Sequence, residues 1–170
     1  VDDIIAIGEK KLAAATIEGL SKHFLIKEYE TLDDVGSTSS FLGRDLTRTG
    51  TGMLITGKPG YFQEDYEYWG IKSAKPTSTP GSSSIKRKLD GDEPVSEMDH
   101  RHYMKTAGKL QWTVPIRPDI AYPVKELARA LQAPTYEDLA CLRHLLKYLK
   151  GTEDYPVSYT HLTLPTILLV

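Results

Sequence analysis

Two adjacent carboxylates, Asp2 and Asp3, stand directly before the apolar run Ile4-Ile5-Ala6-Ile7. Like charges side by side raise each other's proton affinity unless a cation offsets them, so an acidic pair at the mouth of a strand suits a divalent metal. In two-metal phosphoryl transfer, carboxylates hold Mg2+ ions that activate an attacking 3′-hydroxyl and stabilise a leaving pyrophosphate. Asp2 and Asp3 are therefore candidate catalytic and metal-ligating residues. The plain alternative is an exposed acidic pair ahead of a strand, and the dipeptide alone favours it, because short motifs match freely.

A second group is cationic. Arg143, Lys147 and Lys150 fall at i, i+4 and i+7 of a segment with helical periodicity, so they share one face, opposite part of a stripe of Leu139, Leu142, Leu146 and Leu149. Such a row can meet phosphates without reading sequence, and an ordinary solvated helix face fits the spacing equally well. Other groupings carry less. Gly52 to Lys58 has phosphate-loop spacing, but Pro59 occupies the hydroxyl position and the middle reads as a strand. His100 and His102 have no zinc-binding framework around them and are expected at the surface. The basic run Lys86-Arg87-Lys88 is offset at once by Asp90, Asp92 and Glu93 and reads as a solvated linker.

The elements that would position these groups follow from pattern. Ile4 to Ile7 reads as a buried strand, followed by a helix with Ala13, Ile17, Leu20 and Phe24 on one face. Phe41 to Leu46 and Met53 to Thr56 flank Thr47-Arg48-Thr49-Gly50-Thr51-Gly52, whose glycines permit positive φ, and read as a β-hairpin. Tyr61 to Trp69 reads as a short helix stopped by Gly70. From Lys72 to about Pro94 the composition turns to Ser, Thr, Pro, Gly and charge, which predicts a linker or mobile loop. Three helices are expected beyond it, at about Asp99 to Thr113, Pro118 to Gln132 and Thr135 to Lys150, the last stopped by Gly151. Their apolar stripes predict a small helical bundle.

Composition bounds the possibilities. The chain of 170 residues is 40% hydrophobic and 26% charged, the balance of a folded globular protein with one or two cores. A net charge of −2 gives no global attraction to nucleic acid, so any such role must be local. Cys141 is the single cysteine, which excludes an internal disulfide and a thiolate zinc site, fits a reducing compartment and reads as a core thiol. No signal peptide or membrane anchor is expected, since the apolar end Ile167 to Val170 is far shorter than the roughly 20 residues of a membrane span.

The order of several segments goes further. Val1-Asp2-Asp3-Ile4-Ile5 resembles the end of the Tyr-x-Asp-Asp signature of reverse transcriptases, Phe41-Leu42-Gly43 the Phe-Leu-Gly of their following hairpin, and Thr79-Pro80 the Thr-Pro closing that region. Arg117-Pro118-Asp119-Ile120-Ala121-Tyr122 resembles the Arg-Pro-Asp-Ile of copia-type elements, and Tyr148-Leu149-Lys150-Gly151-Thr152 their Tyr-Leu-Lys-Gly-Thr. The resemblance runs from Val1 to about Tyr155 and is to the C-terminal part of the polymerase domain of a copia-type retrotransposon Pol polyprotein. Departures are the irregular stretch Glu28 to Ser40, where Asp33-Asp34-Val35-Gly36 replaces a Lys-Asp-Leu-Gly segment, and the polar Lys109 and Gln111, which predict a more exposed helix.

The resemblance implies an α+β fold. A partial palm of strand, helix and β-hairpin (1–71) is followed by a linker (72–98) and a helical thumb or connection segment (99–155). It implies a fragment of an RNA-directed DNA polymerase, a nucleotidyltransferase that acts in retrotransposition with Mg2+ at Asp2 and Asp3. Phe41, Leu42 and Gly43 would form a primer-grip-like hairpin, with Gly43 allowing close approach of a nucleic-acid backbone. Arg143, Lys147 and Lys150 would lie along the template-primer duplex. Implied partners are an RNA/DNA template-primer, deoxynucleotides, and the remaining Pol polyprotein with its integrase and ribonuclease H. No membrane partner is implied, and the location would be an intracellular, cytoplasmic particle. The third metal-binding aspartate and the fingers lie upstream in the family, so the fragment is expected to be inactive in isolation. A non-catalytic nucleic-acid-binding remnant and a decayed pseudogene fragment remain alternatives. Ser158 to Thr166 resembles translated sequencing-adapter read-through, the alternative being a strand leading into ribonuclease H, so residues 156–170 are expected to be an artefactual tail without functional residues.

Overall fold

The computed structural model describes residues 4–6, 8–26, 31–81 and 94–159. In chain order the elements are α1 (Lys10–Ser21), β1 (Thr38–Phe41), β2 (Arg44–Arg48), β3 (Met53–Gly57), α2 (Gln63–Tyr68), α3 (Glu97–Thr113), α4 (Ala121–Arg129), α5 (Tyr136–Lys150) and β4 (Val157–Tyr159). Short 3-10 turns at Val114–Ile116 and Pro118–Ile120 lead into α4. The strands form one four-stranded sheet in the order β1-β2-β3-β4. The chain divides into two compact units, Val1–Ile55 with Ser158–Val170, and Thr56–Val157.

In the first unit, Ile4, Ile5 and Ala6 are exposed and form no strand, contrary to the buried strand expected there. A strand is held by ladder bonds to a neighbour, and β1 to β4, which make up the sheet among the described residues, do not include this run. The following helix is present as α1. Ala13, Ile17 and Leu20 are half-buried along one face, whereas Phe24 falls past the helix end and is exposed. No residue of α1 is fully buried.

The hairpin region contains two turns rather than one. β1 and β2 pair antiparallel, with Thr38 opposite Thr47 and Phe41 opposite Arg44, so that Leu42-Gly43 is a two-residue connection. Both turn residues have positive φ, 48° and 72°, the condition for a type I′ turn whose twist matches the flanking strands. The continuous strand expected from Phe41 to Leu46 is therefore broken at Leu42. The second connection, closed by Thr49 N donating to Gly52 O at 2.9 Å, joins β2 to β3, and neither Gly50 nor Gly52 adopts positive φ. The irregular stretch before β1 is tied to this sheet: Gly36, at φ 91°, donates its N–H to Arg48 O at 2.8 Å, and Arg48 Nη1 donates to Leu32 O at 3.2 Å. Met53–Gly57 is a strand, as the rejection of a phosphate loop requires.

The second unit is helical. α2 ends in a Schellman motif: Gly70 at φ 67° donates to Glu67 O, and Ile71 N donates to Tyr66 O at 2.7 Å, with Ile71 and Tyr66 both buried. Ser96 caps α3 by accepting from Asp99 N, and Thr135 with Asp138 forms a complete capping box on α5, each cap stabilising its helix by about 1 kcal/mol. The predicted stripe of Leu139, Leu142, Leu146 and Leu149 packs with Ile120, Val124 and Leu127 and with Phe62, Tyr66, Trp69, Tyr103 and Leu110 in one core. Cys141 is half-buried at its margin. The aromatic segment that the sequence reading groups with 1–71 thus packs inside the helical unit.

Lys72–Gly81 departs from the expected mobile linker. It is bound along α5 by Thr77 Oγ1 donating to His144 O, by a bond between His144 Nε2 and Thr79 O at 2.9 Å, and by Lys150. The charge run Lys86-Arg87-Lys88 lies outside the described residues. β4 occupies Val157–Tyr159, and the tail from Thr160 also lies outside them. No helix among the described residues is long and apolar enough to cross a membrane.

Burial sets an unequal sensitivity to truncation. Leu142, fully buried, should cost about 2–5 kcal/mol when replaced by Ala, while Met98, 64% exposed on α3, should cost within about 0.5 kcal/mol. Urea unfolding followed by tryptophan fluorescence checks this, because both tryptophans, Trp69 and Trp112, lie in the second unit. Equal losses would mean that the leucine stripe is not the core.

Candidate nucleic-acid interface

Asp2 and Asp3 lie outside the described residues, and among the described residues no group of three or more His, Cys, Asp or Glu gathers to hold a metal. Phe41, Leu42 and Gly43 come together at the end of the β1–β2 hairpin. Phe41 is half-buried, Leu42 is 39% exposed, and a Cβ added at Gly43 would meet nothing within 4 Å. Gly43 is thus required by its left-handed backbone, not by crowding, and the apolar tip presents Leu42 outward. This differs from the expected glycine within a strand.

The three cations of α5 share a face, but their chemistry differs. Lys150 Nζ donates to the carbonyls of Lys72 at 2.6 Å, Ala74 at 3.1 Å and Ile71 at 3.4 Å. An ammonium has three protons, so these acceptors occupy it fully. Arg143 is exposed, with its guanidinium 5.8 Å from the Trp69 ring centroid, and Lys147 is half-buried. The sequence pattern identifies the face correctly but does not show that one of its cations is already bonded.

Residues that the resemblance only quoted as motifs turn out to form the best-defined polar site. Arg117 is 6% exposed. Its Nε and Nη2 donate to the two carboxylate oxygens of Asp119 at 3.0 and 2.7 Å, its Nη1 to Thr152 O at 2.7 Å, and its Nη2 also to Thr152 Oγ1 at 2.8 Å. Tyr148 donates its hydroxyl to Asp119 Oδ2 at 2.8 Å, and Thr152 Oγ1 donates to Tyr148 O at 2.9 Å. The rings of Tyr148 and Tyr155 each lie 5.6 Å from the guanidinium carbon. Arg117-Pro118-Asp119 and Tyr148 to Thr152, about thirty residues apart, therefore meet in one network. Burial alone would push the Asp119 carboxyl up, but hydrogen bonds from Arg117 and Tyr148 and the guanidinium charge hold it below the usual carboxylate range. The hydrogen bond to Asp119 and then burial push the Tyr148 phenol up.

A second polar cluster explains a departure from the family pattern. Thr106 donates to Asp65 Oδ1 at 2.7 Å and accepts from Trp69 Nε1 at 3.0 Å, and Lys109 Nζ donates to Asp65 Oδ2 at 2.7 Å. Asp65 is 5% exposed and Lys109 19%, so Lys109 does not make α3 more exposed; it neutralises a buried carboxylate from α2. The histidines are not at the open surface either. His100 Nε2 is bonded to Leu131 O at 2.7 Å, and the His102 ring stacks on Tyr68 at 3.5 Å between centroids. The signal available in sequence was a lysine inside an apolar period, which asks for a buried acid that sequence alone could not locate.

Comparison with known proteins decides the family. The Retrovirus-related Pol polyprotein from transposon RE1 of Arabidopsis thaliana is 32% identical over 158 residues, covering 92% of this chain and 10% of that protein. The corresponding polyprotein from transposon RE2 of the same plant is 30% identical over 158 residues, covering 92% of the chain and 10% of the relative. That from transposon TNT 1-94 of Nicotiana tabacum is 32% identical over 159 residues, covering 89% and 12%. The chain belongs to the Pol polyproteins of copia-type retrotransposons. No family model and no solved structure matches it.

Within a Pol polyprotein this chain corresponds to about a tenth of the length of the relatives it matches. Both motif segments joined by Arg117 lie in this Pol segment, and the network has a measurable acid signature. The Asp119 carboxyl is lower in the folded chain than in the unfolded one. It therefore contributes stability that is full above an unfolded value of about 3.9 and is lost as pH falls through the folded value. The stability gap between the wild-type chain and Asp119→Asn should narrow between about pH 5 and about pH 2 in urea titrations. A gap independent of pH would mean that the Asp119 charge is not coupled to folding. Arg117→Lys should still destabilise, since a point ammonium cannot make the forked contacts to Asp119 and both Thr152 oxygens.

Proposed function

We propose that this Pol segment is the C-terminal part of a copia-type reverse transcriptase, contributing one end of the polymerase palm and a thumb or connection bundle to RNA-directed DNA synthesis. The observation that carries this reading is that this chain, 92% of which aligns with a Pol polyprotein, carries in order the acidic pair, the Phe-Leu-Gly hairpin tip and the two motifs joined by Arg117. In this reading Asp2 and Asp3 hold Mg2+, whose charge offsets the paired carboxylates and supports attack of a primer 3′-hydroxyl on a deoxynucleotide. The β1–β2 tip serves as the primer grip: a rigid two-residue turn places the Leu42 side chain and the Gly43 backbone outward, a geometry suited to the sugar and backbone of a primer terminus. Arg143 and Lys147 on α5 face phosphates of the template-primer duplex without reading its sequence. Integrase and ribonuclease H are partners within the same polyprotein, in an intracellular particle.

Because the chain spans about a tenth of its relatives, the groups that position the incoming nucleotide are assigned to other parts of the polyprotein. The chain alone should not extend a primer on an RNA template with Mg2+ present, and extension by it would refute this division. In a full-length polyprotein carrying this segment, Asp2→Asn should abolish extension and leave template-primer binding intact. Undiminished extension by that variant would remove Asp2 from the metal site.

A further inference from the structure

The segment Lys72–Gly81 is polar and has little apolar surface of its own, yet it follows α5 from its end back toward its middle. Three kinds of contact hold it. The Lys150 ammonium gathers the carbonyls of Ile71, Lys72 and Ala74. Thr77 Oγ1 donates to His144 O at 3.4 Å, and the His144 ring is bonded to Thr79 O. Between these ties, Pro76 sits over Gly151 so closely that a Cβ added at Gly151 would stand 2.6 Å from Pro76 Cβ and 3.4 Å from Pro76 Cγ. Gly151 has φ −83°, which any residue can adopt, so its helix-stop role does not require glycine. The required feature is the missing side chain. At about 100° per residue, His144 and Gly151 lie beside the Arg143, Lys147 and Lys150 row, so the segment runs along the edge of that face.

We propose that Lys72–Gly81 is an occluding strap, locked by the fit of Pro76 on Gly151, that withdraws Lys150 from the cationic face of α5. The face then offers Arg143 and Lys147 to an anionic partner, and Lys150 joins them only when the strap lifts. The occlusion stands on the contacts alone; its consequence for nucleic acid rests on the function proposed above.

The test is carried out on the full chain with an amine-acylating reagent, mass spectrometry giving the rate at each lysine. Lys150 should react about tenfold more slowly than the exposed Lys125, because its nitrogen reacts only when the strap opens. Gly151→Ala should bring Lys150 close to the Lys125 rate. Combining it with Pro76→Gly, which deletes the atoms that the new methyl would strike, should restore slow reaction, a rescue that general misfolding of the single variant would not show. Equal rates at Lys150 and Lys125 in the wild-type chain, no acceleration in Gly151→Ala, or no rescue in the double variant would each overturn the strap. A second arm measures affinity for an RNA–DNA hybrid across a salt series. The freed Lys150 should steepen the slope of Gly151→Ala by about one unit. Accelerated acylation with an unchanged slope would uphold the strap and remove the α5 face from nucleic-acid binding.

Discussion

The helical unit depends on one buried guanidinium. Arg117 brings a positive charge into a site where few of its atoms reach water, and such a charge is tolerated only if its donors are matched. Asp119 supplies the counter-charge from two residues away, held in reach by the 3-10 turn at Pro118–Ile120. Thr152 supplies the carbonyl and hydroxyl that complete the set, and it can do so only because α5 ends at Lys150 and the chain turns immediately. The entry to α4 and the exit from α5 are thereby fixed to each other. Tyr148, on the last turn of α5, closes the arrangement by donating to the same carboxylate.

The other polar contacts follow the same logic of local compensation. Asp65 would be an uncompensated charge between α2 and α3 without Lys109 and Thr106, and the indole of Trp69 uses Thr106 as its acceptor. These bonds set the register of α2 on α3, which a purely leucine-lined contact would leave free to slide. Lys150 acts at the end of α5 in a similar way, converting the turn after α2 into a docked segment. Residues that look like surface charges in the sequence are thus used to orient backbone and neutralise buried groups.

Helical periodicity was legible because it is local. The stripe from Leu139 to Leu149 and the Gly70 stop depend on residues close in sequence, and the structure contains both, whereas the Ser96 and Thr135 caps emerge only from the structure. What escaped sequence reasoning depends on distant partners. Ile4 and Ile5 have the apolar character of a strand but no ladder among the described residues. Lys109 and Lys150 read as exposed until Asp65 and the 71–74 carbonyls, far away in sequence, are brought to them. Gly43 shows an intermediate case: the need for glycine was visible, but whether strand or turn required it depended on the Phe41–Arg44 pairing. For the functional site, the motif order pointed to the Pol family, whereas the joining of Arg117 to Thr152 was not legible, since no rule of spacing connects them.

If Arg117 ties the two motifs together by bonding Thr152 across the unit, their energies must be coupled. A double-mutant cycle with Arg117→Met and Thr152→Val, followed by urea unfolding and tryptophan fluorescence in the full chain, tests this most directly. The network predicts a coupling energy of about 1–3 kcal/mol, with the double variant less destabilised than the sum of the single ones. Additive losses, with coupling below about 0.3 kcal/mol, would show that the two motifs are stabilised independently and would contradict the account.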